Sequence, residues 1–416
     1  MSGAVTIQVQ DSRGVVATGS FTLTVVPQTN DLTVGLVTGK QKVPYSALAK
    51  PPKYTPIVDP DFGTTIVRIT DVAGDWNGQT AIPVYPTVPI WNCDESYMIV
   101  YVRGGPGTYA LLNGKTYAFI KWLTGFSPAD VEQFDWDFTN PDIIWFISGS
   151  TLKRYHVSTM TSESWHSFTG STNWGDDPIY CSWTSPPLFS VKTGTSVYTY
   201  QAGATANTGT ESVKIARGSV TNSPESCASG RYVFWDTATS GKGSFRDPAT
   251  MALVRNSLLG TDEHGDLGID ANGNDFWATV SFDEGPGGAS GALLVEWVAS
   301  NTWTTIIGGA KGDPYPPSGT LISAKAFKNP GWVAVACIGN KNLVPTYQDQ
   351  EIMVANVNTG KVGRVCHHRT GGGSQGYWAQ PNVTLSPRGT RIAFPSDWNG
   401  GTTVDTYVVH LPTYTG

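Results

Sequence analysis

A chain of 416 residues with a net charge of -6 and a pI near 5.5 sets up no field to draw a polyanion, and its basic residues adjoin only in pairs such as Lys153-Arg154, which excludes nucleic acid as a partner. With 47 Gly, 27 Pro and 11% aromatic but only 14% charged residues, the chain reads as all-β, its short strands divided by turns and its rings filling the space between sheets. No stretch nears the ~20 apolar residues of a membrane helix, which excludes helical insertion.

In chain order, the N-terminus Met1-Ser2-Gly3-Ala4-Val5 lacks the basic and apolar regions of a secretory signal. The chain is then either a piece of a secreted protein or one that leaves its cell without a signal. Residues 1–26 predict two strands, Val5 to Gln10 and Gly19 to Val26, joined through Asp11-Ser12-Arg13-Gly14. This Asp-Ser-x-Gly turn followed by Phe-Thr-Leu-Thr-Val resembles the closing hairpin of bacterial immunoglobulin-like repeats, which are common in adhesins, secreted enzymes and phage virion proteins. Two strands bury no core of their own, so the hairpin is expected to offer its edges to a partner protein or another sheet.

Residues 27–61, rich in Pro, Thr and Lys, predict a linker laid over the surface, and residues 62–416 the main domain. Thr64 to Asp71 is a strand with no early partner. Beyond it, a hairpin pattern recurs: Trp91-Asn92-Cys93-Asp94-Glu95-Ser96 before Tyr97 to Tyr101, Gly268 to Gly273 before Asp275 to Ala278, and Tyr377 to Leu385 turning through Ser386-Pro387-Arg388-Gly389 into Arg391 to Phe394. Blade starts taken from this turn give a seven-bladed β-propeller, with blades near 82–124, 130–170, 173–217, 223–259, 262–309, 319–367 and 377–412. Six or eight blades stay open, because the third and fourth segments match poorly. The last segment holds only three strands, so residues 64–71 are expected to complete it and close the ring. Ser127-Pro128-Ala129-Asp130 predicts a single helical turn. The five cysteines stand far apart with no CxxC pair and read as small buried hydrophobes, an isolated disulfide being the alternative.

The Ser-Pro-x-Gly-x-Arg-Ile-Ala-Phe run resembles the repeat of TolB-like propellers. Asp135-Trp136-Asp137 with Asn140-Pro141-Asp142, Glu263-His264-Gly265-Asp266, Lys328 to Val333, and His367-His368-Arg369 followed by Tyr377-Trp378-Ala379-Gln380-Pro381 together resemble a group of bacterial propellers related to oligogalacturonate lyases and other polysaccharide lyases. That resemblance implies a Gln-x-His element contributing to a metal site. Here Gln380-Pro381-Asn382 sets an amide where the imidazole would stand, which weakens the expectation of a divalent cation.

Innermost strands line a propeller's channel, and period-two alternation places His264, Asp266, Gln380 and Asn382 toward one cavity. His264 between Glu263 and Asp266 suits proton transfer or a cation site. His368, Arg369 and Tyr377 supply the acid, base and carboxylate-neutralising groups that β-elimination on a uronic acid requires. Trp378, Trp91 and Trp136, with Trp76, Trp174, Trp183 and Trp398 beside turn residues, are candidate platforms for a sugar face. Two functions remain: an extracellular or virion-surface module that binds surface glycan or serves adhesion, and a polysaccharide lyase.

Overall fold

The computed structural model describes residues 2–10, 16–24, 31–170, 172, 179–218, 223–237, 242–260, 264–281, 292–313, 319–338, 348–371 and 375–416. They fall into two compact units, Met1–Asn30 and Asp31–Gly416. The first is a hairpin whose strands Ser2–Gln10 and Val16–Thr24 pair antiparallel, with Val5 opposite Phe21.

The second unit is a seven-bladed propeller. Blade I runs through Thr80–Ile82, Tyr97–Arg103, Tyr109–Asn113 and Phe119–Trp122, each strand bonded to the next. Blade II is Phe134–Trp136 to Thr161–Ser167, blade III starts at Ile179–Cys181, blade IV at Pro224–Ser226, blade V at His264–Ile269 and blade VI at Gly319–Ser323. The blades repeat because their turns do. Asn92 bonds Tyr97 N and Ser96 Oγ, while Asp270 accepts from the backbone of Asn272 and Asn274. Gly389 sits at φ +74, with a position for Cβ only 2.7 Å from Leu32, so the turn needs glycine twice over. Alternation along each strand sends apolar side chains into the layers between blades, such as Ile99, Phe126, Phe146 and Tyr155 between blades I and II. The segments near 173–217 and 223–259 form blades despite their weaker pattern.

Blade VII contributes Thr384–Leu385, Arg391–Ser396 and Asp405–His410, and Thr65–Arg68 pairs beside the last of these to complete it. Pro56–Val58 adds a further edge strand. Ala81 N to Val404 O (2.9 Å) and Val404 N to Gln79 O (3.0 Å) join blade VII to blade I. The buried Arg391 adds a salt bridge to Glu95 at 2.8 Å across the same joint.

The segment ahead of the closing strand is more firmly held than a surface linker. Leu32, Val43 and Asp59 are buried, and Arg364 of blade VI donates to the carbonyls of Gly39 and Gln41 at 3.0 and 2.6 Å. The helical turn expected at Ser127 is absent. The one described α-helix is Val72–Trp76, capped by Asp71 accepting from Gly74 N. All five cysteines are buried free thiols.

Candidate functional site

A cleft of about 400 Å³ opens where the chain enters blades VII and II and meets the end of a blade I strand. Tyr377 and Trp378, on the 3-10 turn Gly376–Ala379, form one wall; Tyr85 and Tyr101 of blade I face them, and Asp130 and Glu132 come from the approach to blade II. Trp378 stacks on Tyr101 with centroids 5.8 Å apart, and Tyr377, 58% exposed, packs edge-on against Trp378 at 5.6 Å. Asn382 lies at the base. It is only 5% exposed, and its side-chain amide bonds no described residue. Its amide atoms face the cleft, where solvent or a ligand can meet their hydrogen-bonding needs. Gln380, half-buried, terminates the turn by donating its backbone N–H to Tyr377 O.

His368 and Arg369 stand a few residues upstream but are sealed away. His368 Nε2 lies 3.1 Å from Cys337 O, and its Nδ1 accepts from Thr370 N, so both ring nitrogens are used. Burial pulls its pKa down to about 4, leaving it neutral at pH 7. Arg369 is fully buried between the rings of Tyr45 and Trp398, bonding Ser46 O and lying 3.8 and 3.9 Å from Asp59 and Asp61. His367, between Tyr45 and Phe62 with its pKa lowered to about 3 by burial, completes an ionic knot. The expectation that His368 and Arg369 meet a substrate beside Tyr377 is therefore corrected: bulk protein covers both.

The channel-facing group divides too. Asp266 is buried, accepting from Ala324 N and from Lys325 Nζ at 2.8 Å. It does not join Asn382 in the cleft. Beside it Asp135 approaches Lys325 and the Cys181 thiol, and burial pushes its pKa up to about 7 against the pull of Lys325. Phe327 of blade VI meets Phe138 of blade II and Trp183 of blade III at 4.9 and 6.0 Å, and Lys325 Nζ lies 5.7 Å from the Trp183 ring centroid. His264 begins the inner strand of blade V, half-buried and outside the cleft wall; Glu263 lies outside the described residues. Among the described residues no three His, Cys, Asp or Glu side chains converge as metal ligands.

Trp91 and Trp136 offer no sugar platform. Both are buried, with their indole nitrogens bonded to Gly114 O and Ile90 O, which makes them inter-blade packing. Trp76 and Trp398 are likewise buried, Trp183 stacks on Phe138, and Trp174 lies outside the described residues. The residues that sequence reasoning missed are Tyr85, Tyr101, Asp130 and Glu132. None of the four carries a motif that points to a site, and only the ring closure brings blades VII, I and II to one place.

No protein-family model matches the sequence, and no curated protein matches it either. Among solved structures, an oligogalacturonate lyase of Vibrio parahaemolyticus superposes with a TM-score of 0.60 at 12% identity, covering 86% of this chain and 97% of that one. A GH74 enzyme of Niastella koreensis superposes at 0.48 and 14% identity, covering 79% of this chain and 53% of that one. At such identity the likeness is one of propeller fold.

Proposed function

We propose that this propeller binds a glycan in the cleft, as a module displayed outside the cell or on a phage particle. One observation carries the reading: the nearly buried, unbonded amide of Asn382 at the base of a cavity walled by Trp378, Tyr377 and Tyr101. Aromatic rings cover the apolar face of a sugar, while an amide with a free donor and acceptor matches adjacent hydroxyls. The propeller neighbour that acts on oligogalacturonate fits a carbohydrate ligand in general terms. The N-terminal hairpin, with two strand edges to pair, would serve attachment to a protein partner.

Uronate β-elimination is the second reading, and the geometry disfavours it. Of its proposed groups, His368 and Arg369 are enclosed, and the cleft wall, among the described residues, holds no Lys, Arg or His to neutralise a polymer carboxylate. Calorimetric titration against a panel of neutral, amino and uronic oligosaccharides, run beside ultraviolet absorbance for unsaturated product, tests both. Binding that Trp378→Ala removes, with flat absorbance, is the expected outcome. Product formation with or without added divalent metal would replace the binding reading with the lyase.

A further inference from the structure

We infer that the ionic knot is closed by an ordered internal water, held jointly by Asp59 and Asp61 of the segment ahead of the closing strand and by His367 and Arg369 at the end of blade VI. None of the four side chains is more than 3% exposed. Their outward atoms are already bonded: Arg369 Nη1 donates to Ser46 O at 3.0 Å, Asp59 Oδ1 accepts from the backbone of Asp61 and Phe62, and both Asp61 oxygens accept from Ser46. The inward ones are not. Asp59 Oδ2, both ring nitrogens of His367, and Nε and Nη2 of Arg369 have no hydrogen-bond partner.

These atoms converge without bonding one another. Arg369 Nη2 lies 3.8 Å from Asp59 Oδ2 and 3.9 Å from Asp61 Oδ2, and His367 Nδ1 lies 3.7 Å from that same Asp61 oxygen. A direct charge-assisted bond would span about 2.8 Å, so none forms at these separations. Burying charged atoms unpaired is heavily penalised, whereas a molecule bridging them removes the penalty. The surrounding charges say which molecule. A cation would sit against the Arg369 guanidinium, and an anion against two carboxylates. Water is neutral and both donates and accepts: its oxygen takes an Nη2–H of Arg369, and its hydrogens go to Asp59 Oδ2 and Asp61 Oδ2. The neutral ring of His367 adds Nδ1 as a further partner, within the range of about two to four that an internal water takes. The rings of Tyr45 and Phe62, 4.6 and 4.9 Å from that imidazole, and Trp398 beside Arg369 seal the water from bulk solvent. It is thereby a joint between residues 45–62 and the propeller, independent of the cleft and its ligand.

The test uses the unaltered full chain. Diffraction at atomic resolution is expected to show a density peak about 2.7–3.2 Å from Arg369 Nη2, Asp59 Oδ2 and Asp61 Oδ2. In solution, with histidine labelled and the His367 signals assigned through His367→Gln, a nuclear Overhauser effect should link the His367 ring to a water proton. Direct Arg369–Asp59 contact at bonding distance with no peak between, or no water contact at the His367 ring, would overturn the inference. A peak with carboxylate distances of about 2.4 Å would replace the water with a cation and overturn it too.

Discussion

Tyr377 and Trp378 of the cleft follow Arg369 of the ionic knot within ten residues of chain, and both regions combine aromatic rings with polar side chains, yet they differ in what can reach them. In the knot, Arg369 and His367 are enclosed by Tyr45, Phe62, Trp398 and the carboxylates of Asp59 and Asp61. Around the cleft, Tyr377 is exposed and the Asn382 amide looks onto open space. Polar chemistry in the knot holds residues 45–62 against blades VI and VII. In the cleft, the proposed function assigns the same kind of chemistry to a glycan. Reactive residue types therefore mark a site only where solvent or substrate can arrive.

The sharpest way to break the comparison is to remove one central side chain from each region. Arg369→Ala leaves Asp59 and Asp61 buried without their cation, and should cost ~3–5 kcal/mol in urea denaturation, with glycan affinity retained in the folded fraction. Trp378→Ala should do the reverse. It loses about 2 kcal/mol of glycan affinity in calorimetry with a smaller change in stability than Arg369→Ala.

Acid should find the knot before the cleft. His367 and His368, with folded pKa values of about 3 and 4 against an ordinary 6.5, refuse protons that the unfolded chain accepts. Their contribution is thus full above pH 6.5 and lost as pH falls toward 4, by at most about 1.4 kcal/mol per pH unit for each. Asp135 works oppositely, since its folded pKa of about 7 lies above the ordinary 3.8 and the folded chain keeps its proton across that window. Asp135→Asn should consequently steepen the acid loss measured by denaturation at pH 7 and pH 5. The smallest effect is expected at Tyr377→Ala: an exposed ring contributes within about 0.5 kcal/mol to stability, so a thermal melt should barely move while binding weakens.

Seven blades and their closure were legible because each blade repeats a local code. Polar turn residues at Asn92, Asp270 and Ser386 sit ahead of alternating strands, and the last segment lacks a fourth strand that Thr65–Arg68 supplies. The packing of residues 31–61 was not legible, because its anchors are bonds from a distant arginine to backbone carbonyls, which leave no pattern in the segment itself. In the candidate site, Tyr377, Trp378 and Asn382 lie close together in the chain and could be grouped. Tyr85, Tyr101, Asp130 and Glu132 could not.

By itself, then, the sequence determined the all-β class, the repeat and the closing strand of the ring, since strand alternation and turn chemistry act over a few residues and recur from blade to blade. Only the tertiary structure decided which of the flagged residues meet solvent. Burial of Trp91, Trp136, His368 and Arg369, and the meeting of three blades around Asn382, depend on contacts between residues from tens to hundreds of positions apart. Residue type at each of those positions is compatible with a core or with a site, and only the packed ring distinguishes them.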